Sequence, residues 1–235
     1  RDDTIQAVAI VTPTETHYDI TKAALLAGKH ALVEKPITTN SDHARELATL
    51  AENQGLILMV GHVFQYNSSI HALKELIVSG ELGEINYISL ERTNLGPIRT
   101  DVSALWDLVS HDAYIMADLL QEVPSQVSAV GRDFLNKSIY DIIFATYIFS
   151  SGAVAHVHAS WLNPRKVRQI TAVGSAKMAV WDDLNMEHPI QIYDKRVEIP
   201  DAGSLEGSFM EFKTLVVDGG VTTPSVKLNR PLQAE

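Results

Sequence analysis

The 235-residue sequence contains no cysteine. That excludes disulfides, thiolate catalysis and Cys-ligated zinc, and it fits a reducing compartment such as the cytoplasm. Runs of Lys or Arg are missing too. With 19 basic against 29 acidic residues, the formal net charge is -10 and there is no electrostatic footprint for DNA or RNA. Long apolar stretches are absent: Leu56 to Val60 is far short of a membrane span, and no signal peptide opens the chain. The sequons at Asn67 and Asn136 are read as chance. What is present is 46% hydrophobic residues, enough to build one large domain or two smaller ones. The chain starts at Arg1 rather than Met and runs at once into a strand pattern, so the expectation is a piece of something longer.

The order of patterns gives the organisation. Apolar runs at Ala7 to Val11, His30 to Val33 and Leu56 to Val60 suit parallel strands buried on both faces. Between them, Thr16 to Ala27 and Ser41 to Asn53 carry apolar residues at helical spacing, the first through Ile20, Ala23, Ala24 and Ala27. Gly28 and Gly55 mark the stops, and Asn40 or Ser41 the N-cap. Strand, helix, strand, helix, strand implies right-handed crossovers and half of a doubly wound domain. After Gly61 the rhythm predicts helices at Ser69 to Val78 and Ala104 to Leu120 and a strand at Ile85 to Arg92. Further strands follow near Val127 to Gly131, Ile139 to Phe149, Val154 to Trp161, Val167 to Val173 and Met178 to Trp181. This is an α+β arrangement. The boundary is placed near residues 61 to 65, giving domains 1–62 and 63–235. The tail from Glu198 is rich in Gly, Pro and Thr.

Ligands of open α/β sheets bind outside the carboxyl ends of the strands, so the residues after each apolar run matter most. They are Thr12 to His17, Glu34-Lys35-Pro36, and Gly61 to Tyr66, the last holding His62 and Phe64. A lysine in such a crevice can approach a substrate hydroxyl, and Pro36 restrains Lys35 to an extended conformation that aims it; the bland alternative is a solvated lysine paired with Glu34. Asp107 and His111 are four apart in a predicted helix and hence on one face. A carboxylate beside an imidazole orients it and supports its protonated form, as a general base requires, although such a spacing also describes an ordinary surface pair; Asp112 either belongs to the site or is solvated. His156 and His158 share a strand face but have no carboxylate near them in sequence, so no metal site is expected. Arg99, and the cluster Arg165, Lys166 and Arg168, suit a phosphate or carboxylate of a substrate, or a solvated basic turn.

Taken in this order, Thr12, Pro13 and His17, the Glu34-Lys35-Pro36 triplet, the Gly61-His62 pair and the Asp107-x-x-x-His111 helix resemble the Gfo/Idh/MocA family of NAD(P)-dependent sugar and polyol oxidoreductases. The resemblance runs to about Val180. It implies an α/β chain: the C-terminal half of a Rossmann domain, then an α+β domain whose large, mostly antiparallel open sheet forms a dimer or tetramer interface. It implies NAD or NADP held near Thr12, Pro13, His17, Glu34, Lys35, Pro36 and His62, with the Lys35-Pro36 peptide often cis. His111 would take the hydroxyl proton, Lys35 would bond the same oxygen, and Asp107 would orient His111 or bind a neighbouring hydroxyl. Asn94, Arg99, Trp106 and Arg165 would contact a sugar or sugar-nucleotide substrate, the stretch from Arg92 to Asp107 looking most like members acting on nucleotide-linked sugars. The family also contains NAD-dependent glycosidases, and a non-catalytic oligomerising or sensor relative is the further alternative. The departure is the Gly-x-Gly-x-x-Gly turn, which the 235 residues lack; the resemblance therefore implies a preceding βαβαβ half, and weak cofactor binding by these residues alone.

Overall fold

The computed structural model describes residues 2–197 and 216–235. The three apolar runs form parallel strands β1 (Ala7–Ile10), β2 (His30–Glu34) and β3 (Leu58–Gly61), in the order β1-β2-β3. In register, Ile10 lies beside Val33 and Glu34 beside Gly61, so the loops leaving all three strands emerge along one edge. Helix α1 (His17–Leu26) and helix α2 (Ser41–Asn53) are the crossovers. The Asn40 side chain caps α2 by accepting from the backbone N–H groups of Asp42 and His43. Gly28 closes α1 at φ +73°, where a side chain would be strained. Leu25 of α1 and Leu47 and Ala51 of α2 pack on Ile10, Ala31 and Val33.

Two details differ from the sequence reading. β1 is not buried on both faces: Ala7 and Ala9 are exposed, and Val11 is 74% exposed. The strand order explains this. Both crossovers step in the same direction, and two right-handed crossovers in one direction place both helices on one face of the sheet. Tyr18 stacks on His43 at 3.9 Å and Lys22 pairs with Glu46 at 2.6 Å, tying α1 to α2 on that side. Among the described residues no helix covers the opposite face. Accordingly α1 buries His17, Thr21 and Leu25, while Ile20 and Ala23, expected inside, face outward.

The second sheet has eight strands: β4 (Ile85–Leu95), β5 (Gln126–Arg132), β6 (Ile142–Ile148), β7 (Val154–Ser160), β8 (Leu162–Gly174), β9 (Met178–Asp182), β10 (Ile190–Val197) and β11 (Val216–Thr222). They run in the order β11-β10-β9-β8-β4-β7-β6-β5, antiparallel except where β4 lies parallel to β7. Helices α3 (Ser68–Val78) and α4 (Ser110–Leu120) cover one face, over a core that includes Leu73, Leu90, Ile115, Trp161 and Trp181. The Trp181 indole N–H donates to Ser69 Oγ at 2.7 Å, pinning α3 to the sheet. On the other face Tyr87, Phe144, Ile148 and Val154 are exposed. β10 and β11 were not anticipated. Residues 198–215 of the Gly, Pro and Thr-rich tail lie outside the described residues, but β11 within that tail extends the sheet. The expected helix from Ala104 opens instead as a π turn, Leu105–Val109, before α4 begins.

Candidate active site

The edge where the three parallel strands end faces the π turn and the start of α4. Lys35 stands at the end of β2, and its Nζ donates to the main-chain carbonyl oxygen of Asp107 at 2.8 Å and lies 3.3 Å from Asp107 Oδ1. The same Oδ1 accepts from Arg99 Nη1 at 3.2 Å, and Oδ2 from the Trp161 indole N–H at 3.3 Å. Arg99 also pairs with Asp101 and reaches Thr14 Oγ1 at 3.2 Å, so it bridges the first sheet's loop to the second unit. The bland pairing of Lys35 with Glu34 is confined to the backbone: Lys35 N–H donates to Glu34 Oε2 at 3.3 Å. The Lys35-Pro36 peptide is cis, as the resemblance implied.

His111 sits one turn into the same segment, but no hydrogen bond joins it to Asp107. The carboxylate is already held by Lys35, Arg99 and Trp161, and the π turn, with i to i+5 bonding, breaks the α-helical register that would stack i on i+4. The expected Asp107–His111 pair is therefore replaced by an Asp107–Lys35–Arg99 cluster. The imidazole instead packs edge-on against Phe64, with centroids 5.0 Å apart, and its Nδ1 is buried without a partner among the described residues. Burial first, then the charges of Arg92 and Lys35, then His62 and Arg168, hold His111 far below its ordinary titration range. This reverses the support for a protonated ring expected from a neighbouring carboxylate; His111 is neutral.

His62, after β3, stacks on Tyr114 of α4 at 4.8 Å, and burial with the Lys35 charge pushes its pKa down. His17 is almost fully buried, with Nδ1 2.9 Å from the Pro36 carbonyl oxygen and Nε2 2.9 Å from that of Thr12. Both nitrogens are thus engaged by main chain. The ring lies between the two loops, and its part in holding them is the position the structure gives it. Thr12 and Pro13 are exposed on the first loop. Glu34 lies against Gly61 and the Glu235 carboxyl; burial and the Glu34 charge raise the Glu235 pKa.

A cavity of about 140 Å³ opens beside Asp107, lined by Asn94, Leu108, Trp161, Lys166 and Arg168 among others. Asn94, expected to touch substrate, is there. Arg99 pairs with Asp101 and with Asp107 of the cavity wall, Arg165 lines the adjoining cavity with Glu91 and Asp182, and Trp106 lines neither. Residues to which the sequence assigned no definite role complete the site. Arg92 of β4 makes a buried two-nitrogen contact to Asp112 Oδ1 at 2.9 and 2.7 Å. Phe64 lies beneath the guanidinium groups of Arg92 at 4.7 Å and Arg168 at 5.6 Å. In the sequence Asp112 stands beside His111, Arg168 in the basic cluster and Phe64 in the segment after Gly61, and their pairings emerge only through contact. His158 pairs weakly with Glu91 at 3.7 Å and stacks on Phe144; among the described residues no group of three or more possible metal ligands is assembled. Nor is any described helix long and apolar enough to cross a membrane.

Residues 1–62 match the Gfo/Idh/MocA oxidoreductase family, NAD-binding Rossmann fold, and residues 70–180 match the Gfo/Idh/MocA C-terminal domain. The chain is 30% identical over 192 residues to UDP-N-acetylglucosamine 3-dehydrogenase of Acidithiobacillus ferrooxidans, covering 81% of this chain and 59% of that protein. It is 34% identical over 173 residues to scyllo-inositol 2-dehydrogenase (NAD(+)) of Bacillus subtilis, covering 69% of this chain and 51% of that one. The chain thus spans between half and three-fifths of the length of these relatives. Among solved structures, the Acidithiobacillus enzyme superimposes with a TM-score of 0.78 at 28% identity, over 98% of this chain and 67% of that chain. An inositol dehydrogenase homologue from Azotobacter vinelandii, complexed with NADH and myo-inositol, gives 0.74 at 27% identity over 82% of this chain and 54% of that chain.

Proposed function

Because the chain belongs to the Gfo/Idh/MocA family of oxidoreductases, with an NAD-binding Rossmann domain, we propose that it carries the proton-handling residues of an NAD(P)-dependent dehydrogenase. Its substrate would be a secondary alcohol, or the matching ketone, of a sugar, sugar nucleotide or polyol. The names of the two relatives, one a sugar nucleotide dehydrogenase and one an inositol dehydrogenase, support that range. The observation that carries the reading is the meeting of Lys35 and the Asp107–His111 segment at the carboxyl edge of the parallel sheet.

The donor set at that edge fits the nicotinamide end of the cofactor: the exposed Thr12 hydroxyl, the Glu34 carboxylate and His62 emerge side by side from adjacent strands. When bound, the nicotinamide supplies the hydride acceptor or donor. His111, neutral before reaction and with only Nδ1 sealed, accepts the hydroxyl proton at Nε2 in a step that works against the burial and positive neighbours disfavouring its charged form. An ammonium has three N–H donors; Lys35 directs two at Asp107 and keeps one for the same substrate oxygen, stabilising the charge that develops there. Asp107 holds Lys35 in place. In the full-length protein, Lys35→Ala and His111→Ala should each lower turnover by about 10²- to 10⁴-fold while leaving NAD(P) affinity largely intact. Near-normal turnover in both would reject the assignment.

The reading extends to assembly. Tyr87, Phe144, Ile148 and Val154 present an apolar stripe on the uncovered face of the eight-stranded sheet, suited to a second copy of the same chain. Sedimentation of a Phe144→Asp variant should show a smaller species than the wild type, and an unchanged one would rule this face out.

A further inference from the structure

We propose that Phe64 is the positioning residue for His111, taking the part that a hydrogen-bonded carboxylate plays in most histidine bases. The inference rests on the reading of His111 as the proton acceptor. A histidine base normally has one ring nitrogen fixed by an acceptor, which sets the plane and rotamer of the ring. His111 has none: Nδ1 is buried and unpartnered, and the nearby carboxylates are engaged elsewhere, Asp107 by Lys35, Arg99 and Trp161, and Asp112 by Arg92. What remains to fix the imidazole is packing, and the ring that meets it is Phe64, T-shaped at 77°.

Phe64 is itself fixed from three further sides. The Arg92 and Arg168 guanidinium groups lie over its ring at 4.7 and 5.6 Å, and Trp181 meets it edge-on at 6.3 Å. Both arginines are anchored in turn, Arg92 by Asp112 at 2.7 Å and Arg168 by Asp183 at 2.5 Å. The ring therefore transmits a rigid frame built on β4, β8 and β9 to the imidazole on α4. Phe64 also leaves β3 only three residues after Gly61, so it ties the proton acceptor to the strand end that presents His62. The groups facing His111 from the packed elements are Arg92, Lys35, His62 and Arg168, all able to carry positive charge.

The test compares Phe64→Tyr, Phe64→Leu and Phe64→Ala in the full-length protein by steady-state kinetics, thermal denaturation and NMR of the His111 ring. Phe64→Tyr should keep kcat within about twofold, whereas Phe64→Leu, similar in size but without a ring edge, should lower kcat by about tenfold or more with little change in KM. In Phe64→Leu and Phe64→Ala, the His111 ring signals should broaden or split into more than one environment, and the ring should begin to titrate between pH 5 and 8. A Phe64→Leu protein with wild-type kcat and a single sharp His111 environment would overturn the proposal. So would equal loss of kcat in Phe64→Tyr and Phe64→Leu, since the ring would then not be what matters. The NMR arm is independent of turnover: if His111→Ala leaves turnover normal, the base assignment falls, while the His111 spectrum still reports whether Phe64 holds that ring.

Discussion

Lys35 and Asp107 are 72 residues apart in sequence, yet the Lys35 ammonium donates to the Asp107 main-chain carbonyl oxygen at 2.8 Å and stands 3.3 Å from its carboxylate. The carbonyl contact survives any substitution at 107; the carboxylate contact does not. Asp107→Asn should therefore leave Lys35 in place but remove the charge that balances Lys35 and Arg99 together. Turnover is expected to fall by about ten- to a hundredfold, with the Arg99–Thr14 contact loosened. Kinetics combined with hydrogen exchange over residues 96–103 checks both effects, and unchanged kcat with unchanged exchange would remove Asp107 from the site's machinery.

The neutral, buried state of His111 has a consequence for acid stability. Its folded-state pKa lies below the unfolded value of 6.5, so below about pH 6.5 the unfolded chain binds a proton that the folded one does not. The stabilisation is complete above pH 6.5 and declines as pH falls, with a slope of up to about 1.4 kcal/mol per pH unit from this group. His62, lowered by burial and Lys35, adds in the same direction. Denaturation midpoints of wild type and His111→Gln should converge as pH drops from 7 to 5. His111 ring shifts should stay flat over that range, and a clear titration midpoint near 6.5 would contradict the burial argument.

Arg92 and Asp112 form the most enclosed ion pair described, with side chains 6% and 2% exposed. The pair makes two bonds through one oxygen and leaves Asp112 Oδ2 without a partner, so geometry does not fully offset desolvation. Arg92→Met should cost about 3–5 kcal/mol because it strands a buried carboxylate, and Arg92→Met with Asp112→Leu should recover much of that. Chemical denaturation of the three proteins measures it. Additive losses in the double variant would mean the pair is not coupled as the geometry requires.

Periodicity revealed the parallel strands and their crossovers because a buried strand and a helix leave different apolar spacings, and a chain reversal leaves Gly or Asn at a known place, as Gly28 and Asn40 do. It failed where tertiary context decides. The exposure of β1 follows from both helices lying on one face of the sheet, which spacing within β1 does not encode. β11 lies in a tail whose Gly, Pro and Thr content hides its strand. At the site, Lys35 and His111 were legible because they follow recognisable elements. The i, i+4 reading of Asp107 and His111 assumed an α-helix, and the π turn together with the distant donors Lys35, Arg99 and Trp161 set a different partner list. Phe64 and Asp112 fell within the segments after Gly61 and around His111, but their partners had no local pattern, since these come from contacts between β4, α4 and the segment after β3.

His17 tests how the cofactor-side loops are held. Its ring lies between two carbonyl oxygens, those of Thr12 and Pro36, each 2.9 Å from a ring nitrogen, and the side chain is 1% exposed. Carbonyls are acceptors only and one ring tautomer carries a single N–H, so removing the imidazole takes the donor from one of them, and the loops after β1 and β2 lose the link that sets their spacing. His17→Ala should destabilise the protein by about 1–3 kcal/mol. It should also weaken NAD(P) binding, because Thr12 and Glu34-Lys35 would no longer be presented in one geometry. His17→Gln, whose amide can still donate to one carbonyl, should recover part of the stability and part of the affinity. Thermal denaturation and a fluorescence titration with NADH separate the two readouts. If His17→Ala loses stability but binds NADH as wild type does, the clamp is structural only and the loop spacing is set by other contacts. If both losses appear and Gln rescues them in proportion, the ring acts on the cofactor through the backbone it holds.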